Sequence, residues 1–170
     1  LTSRLLDISD DGDYVALAMN LQDSSFLFYW NESSTYTGFD RDPKWASDME
    51  GDYYLTCMDL SDDGNLVAIG VKNSSTSEVL FYPESKNPEG PLPPTSGITY
   101  LTSRVNDVAV SYDGYAAAAV TPGEDDYDPP FNTLYYWSNV PSLIEESPAN
   151  WTRQHGFRCV DTSMDGDVVV

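Results

Sequence analysis

A four-residue pattern, Ser-x-Asp-Gly, recurs four times in this 170-residue chain at a nearly constant spacing. The copies occupy residues 9–12, 61–64, 111–114 and 163–166, and their glycines lie 52, 50 and 52 positions apart. Each copy stands between two short apolar segments, which predicts a tight hairpin turn in which glycine supplies a positive φ. The chain is therefore a repeat array with a period of about 50 residues, a period typical of propeller blades.

Each repeat predicts four short strands and shows no helical period. The first strand precedes the turn, and the second is rich in small apolar residues, as in "YVALAM", "LVAIGV" and "YAAAAV". The third is aromatic, in "FLFYW", "VLFYP" and "TLYYW", and a fourth lies near Trp45, at 98–103 and near Trp151. The predicted fold is an all-β propeller of four-stranded antiparallel blades. The units are about 1–52, 53–104 and 105–156, with 157–170 as the start of a fourth. We expect this to be part of a larger propeller, with about three and a third blades present.

Aromatic residues are abundant, and most occupy positions that recur from unit to unit. Phe28, Phe81 and Tyr135 are interpreted as one equivalent set that serves packing between blades. Five others lie outside the repeat pattern and are candidates for ligand stacking: Tyr36, Phe39, Tyr53, Tyr127 and Phe131.

The succession of a short strand, "SDDG", "YVALA", "FLFYW" and a later Trp resembles WD-repeat-like and quinoprotein-like (PQQ-like) β-propellers, including the YVTN type, of archaeal and bacterial secreted or surface proteins. The resemblance implies a fold and no particular activity. The Gly-His and Trp-Asp pair of eukaryotic WD repeats is absent, which argues against an intracellular scaffold of that type. Glycine-rich tryptophan docking repeats are also absent, so no quinone cofactor is expected.

The charge balance is strongly acidic, with 28 Asp and Glu against 8 Lys and Arg and a net charge of −20. Such a field repels nucleic acid and anionic lipid surfaces. It suits either simple solubility or a cationic partner, and both readings stay open. No apolar run approaches the roughly 20 residues that cross a bilayer, so we expect no membrane insertion in this segment.

Three Asn-x-Ser/Thr sequons, at Asn31, Asn73 and Asn150, fall between predicted strands, where a glycan can reach solvent. Together with the acidic surface they favour an extracellular or cell-surface glycoprotein. Cys57 and Cys159 stand four positions before the repeat serine in units two and four. Equivalent points on non-adjacent blades are too far apart for a disulfide, so we expect two small, buried hydrophobic residues.

Two features suggest calcium. The Asp-x-Ser-x-Asp-Gly spacing at residues 7–12, 59–64 and 161–166 matches the first half of a calcium loop, but Ala18 and Gly70 stand where the closing Glu should be. Hairpin geometry is the simpler explanation. The second feature is an acidic stretch within residues 121–132, in a loop that only unit three contains. It offers a metal site or a contact for a basic partner, against a solvated loop; its acidic residues are Glu124, Asp125, Asp126 and Asp128.

Catalysis finds little support in the sequence. His155 is the single histidine, no Gly-x-Ser-x-Gly string is present, and we expect His155 on a loop or strand at a blade edge. The preferred hypothesis is a non-catalytic extracellular or cell-surface propeller that acts as a scaffold or a protein- or glycan-binding module within a larger assembly. One alternative is a substrate-binding or gating propeller domain of a larger secreted hydrolase. Another is a calcium-stabilised surface module.

Overall fold

The computed structural model describes residues 4–21, 24–31, 42–49, 53–83, 95–101, 104–122, 132–142 and 148–170. These residues form three four-stranded antiparallel sheets and contain no α-helix. The first sheet consists of β1 (Arg4–Ile8), β2 (Tyr14–Leu21), β3 (Ser24–Asn31) and β4 (Trp45–Met49). The second consists of β5 (Tyr54–Leu60), β6 (Leu66–Lys72), β7 (Ser77–Pro83) and β8 (Thr95–Leu101). The third consists of β9 (Asp107–Val110), β10 (Ala116–Thr121), β11 (Asn132–Ser138) and β12 (Trp151–His155).

Each sheet follows chain order, with the first strand at one edge and the fourth at the other. This is the up-and-down arrangement predicted for a blade. In the incomplete fourth unit, the first strand expected before the turn is reduced to an isolated bridge between Thr162 and Val169, flanked by backbone hydrogen bonds of Asp161 with Val170 and of Ser163 with Val168. A short 3₁₀ turn, Val140–Ser142, follows β11. No helix in the described part of the chain is long and apolar enough to cross a membrane.

Neighbouring sheets meet face to face, and their first strands β1, β5 and β9 lie closest together. The second strands run through the middle of the sheets, and their small residues admit the next sheet. Ala16 and Ala18 pack with Val67 and Ile69 of the second sheet. Ala117 and Ala119 of the third sheet pack with Ala68 in the same way. The hydrophobic core therefore lies between sheets and stacks them in sequence order.

The predicted equivalence of Phe28, Phe81 and Tyr135 is wrong by one residue in the second sheet. Phe28 pairs with Leu17 and Tyr135 with Ala119, which stand at the same distance after their turn glycines. Phe81 pairs instead with Ala68, which is one position nearer to its turn glycine. Successive residues of a strand face opposite sides, so Phe81 points toward the third sheet. Its true equivalents are Tyr29 and Tyr136.

The two cysteines differ in environment. Cys57 is buried, as expected, and burial raises the pKa of its thiol to about 12. Cys159 is exposed, which corrects the expectation that both are buried. The reason is that residues 157–170 form no full sheet around it. Both thiols are free.

Candidate functional site

The four Ser-x-Asp-Gly turns have the same internal hydrogen bonds. In the first, the Ser9 hydroxyl donates to Asp11 Oδ1 at 2.7 Å and accepts from the Tyr14 amide at 3.0 Å. Asp11 Oδ1 also accepts from the Asp13 amide at 3.0 Å. Equivalent bonds recur around Ser61, Ser111 and Ser163. The pattern is thus a self-bonded turn that fixes its own backbone.

These bonds explain the residue types in the pattern. Gly12, Gly64, Gly114 and Gly166 have φ between 69° and 78°, which side chains disfavour. The bonds from the Asp13 amide and the Ser9 hydroxyl hold the pKa of Asp11 below its usual value. The turn carboxylate is therefore occupied with the backbone, as the hairpin interpretation predicts. Among the described residues, no group of three or more His, Cys, Asp or Glu side chains is arranged to hold a metal ion.

Each turn after the first is seated on the preceding sheet. A Cβ on Gly64 would lie 2.3 Å from Cγ of Tyr14, and a Cβ on Gly166 would lie 2.4 Å from Cβ of Ala116. The Tyr29 hydroxyl, buried in the junction, donates to the Gly64 carbonyl at 2.7 Å. Tyr136 makes the same bond to the Gly166 carbonyl at 3.0 Å. Glycine therefore serves both the turn and the close approach of the neighbouring sheet.

The turns also bond to one another at the same end of the sheets. The Asp63 amide donates to the Tyr112 carbonyl, and the Tyr112 amide donates to the Met164 carbonyl, both at 3.1 Å. With the backbone held in this way, two positions in each turn vary between units: the residue after serine and the residue after glycine. We call these eight residues the turn surface: Asp10, Asp13, Asp62, Asn65, Tyr112, Tyr115, Met164 and Asp167.

The turn surface is chemically uneven. Tyr112, Tyr115 and Met164 are 41%, 54% and 70% exposed, so units three and four present apolar groups to solvent. Units one and two present carboxylates. Partial burial, followed by the fields of Asp10, Asp7, Asp11 and Asp63, raises the pKa of Asp62. The negative charges are therefore close enough to act on one another beside an apolar patch.

A second group of carboxylates lies on the innermost strands. Asp7 Oδ2 accepts from the Leu60 amide of the second sheet at 2.8 Å. Asp59 Oδ2 accepts from the Val110 amide of the third sheet at 2.7 Å. Asp107 Oδ2 accepts from the Val160 amide at 3.0 Å. Each bond crosses from one unit to the next, and we call these residues the clasp aspartates.

The structure brings the clasp aspartates into one series, which the sequence pattern only partly predicts. Asp7 and Asp59 stand two positions before the turn serine, but unit three has Ala109 there. Its clasp comes from Asp107, two residues earlier on the same strand face. The amide that it binds, that of Val160, also lies two residues further from the turn than the amides of Leu60 and Val110 do. A search that allowed a two-residue shift along the strand could have found it.

Only some of the other predicted site residues are described. Glu124, Asp125, Asp126 and Asp128 lie outside the described residues, although β10 and β11 leave residues 122–131 between them, a longer link than in the other sheets. The ligand-stacking candidates Tyr36, Phe39, Tyr127 and Phe131 are also outside. Tyr53 packs against the core of the first two sheets, and its carbonyl accepts from the Ser25 hydroxyl at 2.5 Å. His155 is exposed on β12, the edge strand of the third sheet, as predicted.

The three sequon asparagines lie at strand ends. Asn31 ends β3, opposite Tyr14, at the same end of the first sheet as its turn. Asn73 lies in the link between β6 and β7, at the opposite end, where its Oδ1 accepts from the Thr76 amide at 2.7 Å. Asn150 is exposed just before β12, and its Oδ1 accepts from the Ser138 amide at 2.5 Å. Whether any carries a glycan stays a prediction.

Comparison with known proteins identifies the fold. No protein-family model and no curated protein matches the chain. Among solved structures, it is similar to the β-propeller domain of Cps50 (Swd1) from Myceliophteria thermophila, at TM-score 0.55 and 13% identity over 97% of this chain and 45% of that one. It is also similar to hydrazine synthase of Kuenenia stuttgartiensis, at TM-score 0.58 and 12% identity over 97% and 42%. A prolyl endopeptidase gives TM-score 0.56 and 12% identity over 99% and 25%. The chain thus spans less than half the length of these structures, and its three sheets are four-stranded antiparallel blades of a β-propeller.

Proposed function

We propose that this chain is part of a non-catalytic, extracellular or cell-surface β-propeller that binds a protein partner through the turn surface. One observation carries the proposal. The constant Ser and Asp side chains of each turn bond the turn's own backbone, while most of the variable residues are exposed. A rigid frame that displays differing side chains is suited to recognition, because little side-chain and loop entropy is lost on binding.

The composition of the turn surface suggests the kind of partner. Tyrosine and methionine are enriched in the cores of protein interfaces, and Tyr112, Tyr115 and Met164 are all substantially exposed. Asp62 lies on the turn that is bonded to the turn of Tyr112, and Asp10 lies close enough to act on Asp62 by charge, in a chain of net charge −20. A segment that carries both apolar and basic side chains complements this surface in polarity and in charge.

Binding can be tested with immobilised 12-residue peptides that differ in charge and apolar content, together with a set of immobilised oligosaccharides. We expect the intact protein to bind peptides that combine Arg or Lys with apolar residues, and to bind acidic peptides of equal apolar content at least about tenfold more weakly. The variant Tyr112→Ser/Tyr115→Ser should lose this binding.

The matched control is Leu21→Ser. Leu21 is 41% exposed, as Tyr112 is, but it ends β2 at the opposite end of the first sheet. This variant should bind like the wild type. Equal loss of binding in both variants, or binding to oligosaccharides alone, would contradict a protein site on the turn surface.

The proposed location is supported by the three sequons and by the acidic, lysine-poor composition. Intact-mass measurement of native material should show added glycan mass at Asn31, Asn73 or Asn150. Three unmodified asparagines would count against an extracellular location and would leave the turn surface untouched as a hypothesis.

A second candidate function is the substrate-binding or gating propeller of a larger secreted hydrolase. The similarity to a prolyl endopeptidase, of which this chain covers 25%, favours it. The full-length protein should then react with a fluorophosphonate serine-hydrolase probe at a residue outside this 170-residue sequence. The absence of labelling in folded, full-length protein would remove a serine hydrolase from consideration.

A further inference from the structure

The sequon residue Asn150 is held at the same end of the third sheet as the turn of that unit. Ala116, the first residue of β10 after the turn, pairs with Ser138 at the end of β11. The Oδ1 atom of Asn150 accepts from the Ser138 amide at 2.5 Å and from the Ser138 hydroxyl at 3.1 Å. The backbone amide of Asn150 donates to the Tyr136 carbonyl at 2.8 Å. Both its side chain and its backbone are therefore fixed against the end of β11.

The same strand ends place Asn150 near the apolar part of the turn surface. Tyr115 directly precedes β10, and its carbonyl accepts from the amide of Val140, just after β11, at 3.0 Å. Asn150 directly precedes β12, two strands away in the same sheet, so about 10 Å separates its backbone from that of Tyr115. Both residues are exposed. A bulky group on Asn150 therefore restricts the approach of a large partner to Tyr115.

The hydrogen bonds of Asn150 engage the side-chain atom that an N-glycan does not use. Both bonds from Ser138 go to Oδ1, whereas a glycan is attached to Nδ2. In that transfer a bond forms between Nδ2 and C1 of the oligosaccharide, the bond from C1 to its lipid diphosphate carrier breaks, and Nδ2 loses one proton to solvent. Thr152, which completes the sequon, is exposed on β12. The bonds that orient Asn150 are therefore compatible with a glycan.

We propose that Asn150 carries an N-glycan that limits the access of large partners to the apolar part of the turn surface, at Tyr112 and Tyr115. The inference rests on the proposed function, because it concerns an extracellular protein whose partner binds the turn surface. An N-glycan is bulky and solvated, and here it is attached at a fixed side chain beside the apolar residues. Asn31 lies at the same end of the first sheet, in the unit whose turn presents carboxylates. The effect on Tyr115 is therefore assigned to Asn150.

The second sheet offers a matched arrangement at the opposite end. Tyr54 begins β5 and pairs with Lys72, the residue before Asn73. Tyr54 is 56% exposed and Tyr115 is 54% exposed. A glycan on Asn73 should therefore shield Tyr54 and leave the turn surface open, whereas one on Asn150 should do the reverse.

Two variants remove one sequon each without changing its asparagine. Thr152→Ala removes the sequon of Asn150 and keeps the bonds of Asn150 to Ser138. Ser75→Ala removes the sequon of Asn73 and keeps the backbone amide of Ser75, which donates to Asn73 Oδ1 at 2.8 Å. Both replaced side chains are exposed. The two full-length variants and the wild type are produced by secretion from a host that adds N-glycans and, separately, in a host that does not.

Access to each tyrosine can be measured by iodination with lactoperoxidase, a bulky enzyme, followed by peptide mass spectrometry. In the secreted proteins, we expect Thr152→Ala to be iodinated at Tyr115 about tenfold faster than the wild type, because steric limits on approach change association rates by one or more decades. Iodination of Tyr54 should be unchanged. Ser75→Ala should show the converse. In the unglycosylated proteins, each tyrosine should react at one common rate in all three.

The effect on the partner is measured with a peptide of basic and apolar residues fused to a folded carrier protein. Secreted Thr152→Ala should bind it about tenfold more tightly than the secreted wild type does, and Ser75→Ala should bind it like the wild type. The absence of glycan mass on Asn150, or equal iodination of Tyr115 in secreted wild type and Thr152→Ala, would overturn the inference. Failure of the unglycosylated wild type to bind the peptide would instead contradict the proposed function, and the iodination rates would still decide whether the glycan shields Tyr115.

Discussion

Replacement of a turn glycine by alanine has two possible costs, which are backbone strain at a positive φ and a clash with the preceding sheet. Both apply in most of the repeats, but at Gly12 only the first applies. At Gly12 the φ is +78° and an added Cβ would meet nothing within 4 Å, so only the backbone resists the change. At Gly64 the φ is +71°, but the Cβ would also lie 2.3 Å from Cγ and 2.4 Å from Cδ2 of Tyr14. The first atom is the base of the ring, so rotation about χ2 does not relieve the contact.

The magnitudes follow from these contacts. A left-handed backbone costs an alanine about 1–2 kcal/mol, which is the whole expected effect of Gly12→Ala. Forcing extra volume into a packed junction adds about 1–3 kcal/mol, so Gly64→Ala should cost about 2–5 kcal/mol. For a chain of this size the difference corresponds to a Tm lower by about 2–12 °C than that of Gly12→Ala.

Both variants can be compared by urea unfolding and by thermal melting. A third protein, Gly64→Ala in a Tyr14→Ala background, provides the control, because removal of the ring should abolish most of the difference between the two glycines. Equal destabilisation of Gly12→Ala and Gly64→Ala would refute the claim that the turn is seated on the preceding blade.

Two substitutions test other junction contacts, and calcium chelation tests the acidic stretch of unit three. Tyr29→Phe should cost about 1–2 kcal/mol of unfolding free energy, because it leaves the buried Gly64 carbonyl without its 2.7 Å bond; a stability equal to wild type would show that the bond contributes nothing. Asn20→Ala should cost about 2–4 kcal/mol in the same assay, since Asn20 Oδ1 accepts from the Leu55 amide at 2.8 Å and its Nδ2 donates to the Leu55 carbonyl at 3.1 Å. A cost below about 1 kcal/mol would contradict this. If Glu124, Asp125, Asp126 and Asp128 hold calcium, a chelator should lower the Tm of native protein and excess calcium should restore it; an unchanged Tm would remove the calcium-stabilised module.

The spacing of the turn glycines predicted the repeat, and the strand patterns within each unit predicted three successive four-stranded blades. Glycine at positive φ, small residues on the second strand and aromatic residues on the third each follow from local geometry. The sequence did not predict which residues of the third strand in unit two face which side of the sheet. The link before it holds residues 73–76, whereas the first sheet has only residues 22–23 there. Matching "VLFYP" to "FLFYW" by residue type shifted it by one position, which exchanges the two faces of a strand.

The site was less predictable than the fold. The turn bonds were expected, because Ser and Asp side chains bond nearby backbone in turns and glycine accepts a positive φ. The display of Tyr112, Tyr115 and Met164 on adjacent turns depends on how the blades stack, which no single repeat contains. The bonds from Asp7 and Asp59 to amides of the following units likewise arise only when residues more than 50 positions apart in sequence are brought together. Long-range contacts of this kind leave no trace in local periodicity.

The displaced bond of Asp107 has a wider consequence for the comparison of propeller repeats. Side chains of a strand point to the same face at every second residue, so an acid moved by two positions along β9 still reaches the next unit, provided that the amide it binds moves by two as well, as that of Val160 does. An alignment of the four units would treat Ala109 as the loss of the bond to the next unit. The bond is still made, by Asp107, two residues earlier on the same strand. Equivalence between repeats of this kind is therefore better defined by which side of the strand a residue occupies than by its place in an alignment.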